Sequence, residues 1–129
     1  MNDLSKLYEL AKKASTKAYA PYSKFKVGAA ILSSEGNFHI GCNVENISYP
    51  LGSCAEQSAI SSMISSGDSE IAKILIYADS KNLITPCGAC RQRIAEFANS
   101  ETLIYLADSE GIKETHTLDE ILPFYFKEL

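Results

Sequence analysis

Four cysteines and one glutamate carry the chemistry legible in this sequence: Cys42, Cys54, Cys87, Cys90 and Glu56. Cys87 and Cys90 stand at i and i+3, which puts both thiols on one face of a helix's first turn. A helix N-terminus offers free N–H groups and partial positive charge, and both favour thiolate over thiol. Cys54 occupies the same place at the start of the preceding helical segment. Three thiolates at two helix starts can converge on one Zn²⁺ and leave a fourth position for water, the open coordination of a catalytic zinc. Glu56, two residues beyond Cys54, can reach such a water without ligating the metal and shuttle its protons.

Each feature also has a plainer explanation. Cys-x-x-Cys serves as a redox pair in thioredoxin-like folds, although here Asp79 to Pro86 intervene between the pair and the strand before it. A closed structural site would recruit Cys42 as its fourth ligand. Cys42, in a predicted strand between Gly41 and Asn43, faces away from Asn43 and Glu45 and reads instead as a small buried hydrophobe. Ser53-x-x-Glu56 is a capping-box pattern, in which the glutamate only completes a helix start. Beside three suitably spaced cysteines the proton shuttle is preferred. His39 and His116 fall in predicted strands outside the metal pattern, where packing or surface roles are expected.

The elements that must position these residues follow from periodicity and turn chemistry. Leu4, Leu7, Tyr8, Ala11, Ala14 and Ala18 recur at helical spacing, with Asn2 or Asp3 as cap and Pro21 as a stop. Val27–Leu32 and Phe38–Val44 flank the turn residues Ser33–Asn37 and predict a hairpin. A helix is predicted from Cys54 to Ser66 and a buried strand over Ile71–Ala78. Thr85 as cap and Pro86 in the first turn predict a helix over Cys87–Ala98. Strands at Thr102–Ala107 and Ile112–Thr117 and a short helical turn at Leu118–Leu122 complete the order αββαβαββα. That order implies an α/β protein with a mixed sheet covered by helices on both faces.

The chain of 129 residues is read as a single domain, residues 1–129, with 46% apolar and 22% charged residues. The net charge of −4 and the absence of a basic stripe speak against nucleic-acid binding and for a small or uncharged substrate. No segment has the length of a membrane span, and the first residues lack the apolar core of a signal peptide, so a reduced cytoplasmic setting is expected.

Cys54-Ala55-Glu56 followed by Pro86-Cys87-Gly88-Ala89-Cys90 resembles the zinc nucleoside deaminase signature, in the Cys-Ala-Glu form of the short homotetrameric cytidine deaminases. The resemblance extends over Ala20–Ala30, Gly41–Asn46, Tyr49–Gly52, Cys90–Gln92 and Ile121–Pro123, in order, and covers almost all of the chain from Ala20 to Phe126. It implies a three-layer α/β/α fold with a mixed five-stranded sheet and one Zn²⁺ per chain. It also implies hydrolytic deamination of cytidine and 2′-deoxycytidine to the uridines with release of ammonia, as in pyrimidine salvage. By the same resemblance Cys54, Cys87 and Cys90 are the zinc ligands and Glu56 the catalytic acid and base. Asn43 and Glu45 match residues that bind the sugar's 3′-hydroxyl, and Phe25 an aromatic packed on the cytosine ring. Backbone at Ala55 and Pro86 holds the base edge. Tyr49 and Phe126 match residues that enter the site from neighbouring subunits, so a homotetramer with shared active sites is expected. The partner is then a small nucleoside, with no nucleic acid and no membrane.

Gln57 departs from the pattern. The family commonly has an arginine there that donates to the thiolates and offsets their charge. Two other functions stay open at this level: deamination of another cytosine nucleoside, such as a blasticidin-type antibiotic, and a non-catalytic zinc-binding module. The second needs neither Glu56 nor the Asn43–Glu45 pair.

Overall fold

The computed structural model describes all residues, 1–129. Its elements run α1 Asp3–Ser15, β1 Val27–Ser33, β2 Phe38–Cys42, α2 Ala55–Ser65, β3 Ile71–Ala78, α3 Gly88–Phe97, β4 Leu103–Asp108, β5 Gly111–Thr117 and α4 Leu118–Ile121, with a 3₁₀ turn at Tyr49–Leu51. The strands form one sheet in the order β2-β1-β3-β4-β5. Only β3 and β4 run parallel; the other neighbours are antiparallel. The sheet is therefore mixed and five-stranded, as expected.

Strand alternation assigns the two faces. Ala30, Leu32, Leu75, Tyr77, Tyr105 and Ala107 meet Leu7 and Ala11 of α1. Ala29, Ile31, Ile74, Ile76, Ile104 and Leu106 meet the apolar faces of α2, α3 and α4. One helix thus covers one face and three cover the other, which gives the three layers. Two glycines allow strands β1 and β2 to be approached this closely. A Cβ on Gly28 would lie 1.9 Å from the Ala11 carbonyl oxygen of α1, and one on Gly41 would lie 2.3 Å from the Ala59 nitrogen of α2.

Several predicted boundaries shift, each for a local reason. Helix α1 is capped by Asn2, whose Oδ1 accepts from the Ser5 N–H at 2.8 Å. It ends at Ser15, not near Ala18, because Ser15 and Thr16 hydroxyls donate back to the carbonyls of Lys12 and Lys13. Tyr19 is then free to pair beside Val44. Strand β2 stops at Cys42, short of Val44. The residues beyond it stay extended through isolated bridges of Val44 to Tyr19 and Ser53. Thr85 does not cap α3: the cap is Cys87, and the helix begins at Gly88. No helix is long and apolar enough to cross a membrane.

Candidate metal centre and active site

Cys54 and Cys87 occupy equivalent places. Each is the N-cap of its helix, in extended conformation, with no side-chain capping bond of its own. Their thiols therefore sit where a serine or aspartate would normally satisfy the free N–H groups. Cys90 follows one turn into α3 and is fully buried. The three sulfurs lie within 4.8 Å of one another, and no further His, Cys, Asp or Glu atom joins the group. A tetrahedral Zn²⁺ with bonds of about 2.3 Å holds its sulfurs roughly 3.8 Å apart, so the triangle has the size the ion needs and lacks a fourth protein ligand.

The surroundings suit a cation. Burial pushes the Cys54 and Cys90 thiols up, and Glu56 adds to the effect at Cys90. The Cys90 backbone N–H instead holds the Cys87 thiol below its ordinary range, although burial opposes it. Thiols that resist ionisation on their own become thiolates when a divalent metal supplies the compensating charge.

Cys42 takes no part. It pairs with Gly28 across β1 and β2, and Gly28 faces α1. Directly opposed residues share a sheet face, so Cys42 points to the α1 side while the other three thiols gather at the starts of α2 and α3. It is only partly buried. The closed four-cysteine site is excluded by this placement.

Glu56 is the second residue of α2, after the Cys54 cap, so the Ser53 capping box does not form. Its side chain is 5% exposed, and burial raises its carboxyl above the ordinary glutamate range; its own backbone N–H and Arg93 counteract part of this. A carboxyl whose protonated form is favoured by burial in this way is suited to accept and release protons.

A cavity of about 440 Å³ opens beside the thiols. Phe25, Asn43, Glu45, Tyr49, Ala55 and Glu56 line it together with Cys54 and Cys87. Phe126 does not; it is exposed, and its carbonyl accepts from Gln92 Nε2 at 2.8 Å. Tyr49 borders the cavity of its own chain while remaining largely exposed. The cavity also includes Val27, Ile84 and Thr85, which the sequence reading passed over. Val27 follows Phe25 by two residues, and Ile84-Thr85 lead directly into Pro86-Cys87; those two spacings were the available signals.

Asn43 and Glu45 support the cavity wall. Asn43 Oδ1 accepts from the Val27 N–H at 2.9 Å, and its Nδ2 donates to the Phe25 carbonyl at 2.8 Å. Glu45 Oε1 accepts from the N–H groups of Tyr22 and Ser23 at 3.0 and 3.1 Å, and the Ser23 hydroxyl bonds Oε2. These bonds, led by the Ser23 hydroxyl, hold the Glu45 carboxyl below its usual range. A carboxylate offers about four acceptor sites and a carboxamide two donors and two acceptors. Each side chain therefore keeps capacity for a ligand hydroxyl.

The family model described as "Cytidine and deoxycytidylate deaminase zinc-binding region" matches residues 1–107. The chain belongs to that family. A cytidine deaminase of Sporosarcina psychrophila is 43% identical over 124 residues, spanning 96% of this chain and 91% of the relative. One of Halalkalibacterium halodurans is 41% identical over 124 residues, spanning 96% and 94%. The crystal structure of a Burkholderia pseudomallei cytidine deaminase superimposes with a TM-score of 0.90 at 40% identity, covering 98% of this chain and all of the other. A Mycobacterium tuberculosis cytidine deaminase gives 0.83 at 35% identity, with 99% and 100% covered. The matched family region is a zinc-binding one, and the Cys54, Cys87 and Cys90 group is placed where it could hold such an ion.

Proposed function

We propose that this chain hydrolyses cytidine and 2′-deoxycytidine to uridine and 2′-deoxyuridine, releasing ammonia. The observation that carries the reading is a buried glutamate beside three convergent thiols, at a cavity that Glu56, Cys54 and Cys87 line. Membership of the deaminase family and relatives named cytidine deaminase support the same substrate.

Zn²⁺ held by the three cysteines supplies Lewis-acid chemistry that makes a water nucleophilic near neutral pH. Glu56 moves the protons. Its carboxylate takes one proton from the attacking water and passes it to N3 of the ring, which makes C4 more electrophilic. It then carries the water's other proton to the exocyclic nitrogen. The C4–N bond breaks, the water oxygen remains as the C4 carbonyl, and ammonia leaves. Phe25 and Val27 offer apolar surface to the base, Ala55 backbone its edge, and Asn43 with Glu45 their remaining hydrogen-bond capacity to the sugar 3′-hydroxyl.

The decisive experiment is ammonia release from cytidine with zinc content measured on the same sample. Glu56→Gln should retain zinc and fold yet lose activity by about 10²–10⁴-fold or more. Near-normal turnover in that variant removes Glu56 from the mechanism.

The assembly belongs to the same proposal. Ile47, Tyr49, Leu51, Phe124 and Phe126 are large apolar side chains between 65% and 104% exposed, and exposed apolar side chains of this size are met where copies of a chain pack together. The reading is a homotetramer in which Tyr49 and Phe126 contribute to neighbouring sites. Light scattering at assay concentration tests it, and a fully active monomer contradicts it.

A further inference from the structure

Arg93 carries a charge that no carboxylate pairs with at salt-bridge distance, although it acts on Glu56 from farther away. Every ion pair in the chain lies elsewhere, between His39 and Asp68, Lys113 and Glu110, and His116 with Glu114 and Glu120. The hydrogen bond that its side chain makes is from Nη1 to Cys90 Sγ at 3.5 Å, in a part-buried setting. The neighbouring Arg91 is spent differently: its Nε donates to the Pro86 carbonyl at 2.8 Å and its Nη1 to the Ile121 carbonyl at 2.6 Å. Arg91 ties α3 to α4, whereas Arg93 faces the thiol group.

Position 57 stands in the same relation to a cysteine of the other helix. Gln57 lies one turn beyond the Cys54 cap of α2, as Arg93 lies one turn beyond Cys90 in α3. Gln57 and Arg93 also line one cavity between the two helices. A zinc ion with three thiolates carries one net negative charge, and Gln57 offers that group only a neutral amide. A buried anionic centre is retained at a lower cost where a cation donates to it.

We propose that Arg93 is the positioning residue of the metal centre. Its guanidinium donates to the Cys90 thiolate and balances the zinc–thiolate charge from α3, in place of any cation at position 57 on α2. The inference rests on zinc occupying the three cysteines and not on the identity of the nucleoside.

The test is zinc transfer from the loaded protein to a chromogenic chelator, for the wild type, Arg93→Gln, Arg93→Lys and the double variant Gln57→Arg with Arg93→Gln. Loss of the donor should speed zinc release by about 10–100-fold, the range typical for partners of metal ligands. Arg93→Lys keeps the charge and the double variant restores it from the opposite helix, so both should release zinc within about threefold of the wild type. A purely structural arginine would not be rescued from position 57. Zinc release from Arg93→Gln at the wild-type rate, or from the double variant as fast as from Arg93→Gln, overturns the proposal. Should Arg93→Gln fail to fold, the double variant decides: wild-type zinc retention supports the assignment, and its loss refutes it. Failure of cytidine turnover with normal zinc release would count against the proposed substrate and leave this assignment standing.

Discussion

The missing side chain of Gly41 and the backbone nitrogen of Ala59 define how near helix α2 comes to the sheet, since a Cβ there would stand 2.3 Å from that nitrogen. Backbone cannot yield as a flexible side chain can. The start of α2, with Cys54 and Glu56, is therefore set against β2 at the one spacing glycine permits. Gly41→Ala should cost more than the 1–3 kcal/mol usual for overpacking, because helix and strand must separate. Thermal melting should drop by about 5 °C or more, and zinc content should fall with it. Gly88→Ala is the control, since its Cβ would meet nothing within 4 Å. A Gly41→Ala protein with parental melting and zinc would show that α2 is free to move.

Removal of single thiols separates the ligands from the bystander. Cys54→Ala, Cys87→Ala and Cys90→Ala should each purify with little zinc, while Cys42→Ala, on the α1 side of the sheet, should keep one zinc per chain. Metal analysis after dialysis reads the outcome. Equal loss from all four variants would contradict the face assignment of Cys42.

Much of this was readable in advance, and the failures share a cause. The apolar runs of β1, β3 and β4 and the helical spacing around the cysteines obey local rules, so their order and faces followed from sequence, although neither the Ser53 capping box nor the Thr85 cap forms. The end of β2 did not, because the bridges joining Tyr19, Val44 and Ser53 are pairings across separate segments. His39, in a predicted strand with a packing or surface role expected, takes the packing role, but its partner is not legible. It is buried, with Nε2 at 2.9 Å from Asp68 Oδ2, and Asp68 also receives Ser33 and Asn37 at 2.7 and 3.0 Å. No sequence rule pairs a histidine with an aspartate twenty-nine residues away. Nor does the sequence say which of Arg91 and Arg93 faces the thiols; the bonds of Arg91 to the Pro86 and Ile121 carbonyls and of Arg93 to Cys90 Sγ distinguish them.

That histidine–aspartate group gives acid stability a direction. The His39 side chain, then Ser33 and Asn37, hold the Asp68 carboxyl below its ordinary range. The unfolded chain therefore binds this proton at higher pH than the fold does. The resulting stability is complete above the ordinary carboxylate pKa of about 3.9 and is lost as pH falls through the depressed folded value. Asp68→Asn should melt lower at pH 7 and converge on the parent in acid. A difference that grows as pH is lowered would show that Asp68 is not the group responsible.

Asn43 and Glu45 pose the last question, because each already serves the protein. Asn43 joins the Phe25 carbonyl to the Val27 N–H, and Glu45 gathers Tyr22 and Ser23. Their substitution could weaken catalysis by loosening this loop and nothing else. Substrates distinguish the two roles. A loop-holding residue acts on every nucleoside alike, whereas a sugar-binding residue matters only where the hydroxyl is present. Hydrogen bonds to charged groups are worth about 1.5–3 kcal/mol, or roughly 10–100-fold. The wild type should therefore prefer cytidine to 3′-deoxycytidine in kcat/KM by about that factor. Glu45→Ala should erase the preference chiefly by lowering the cytidine value, with some common loss from the freed Ser23 segment. Asn43→Ala, which removes two bonds to backbone, should add a larger common loss and a lower melting temperature. If Glu45→Ala reduces both substrates equally and the preference survives, the carboxylate holds the loop and the sugar is read by another group.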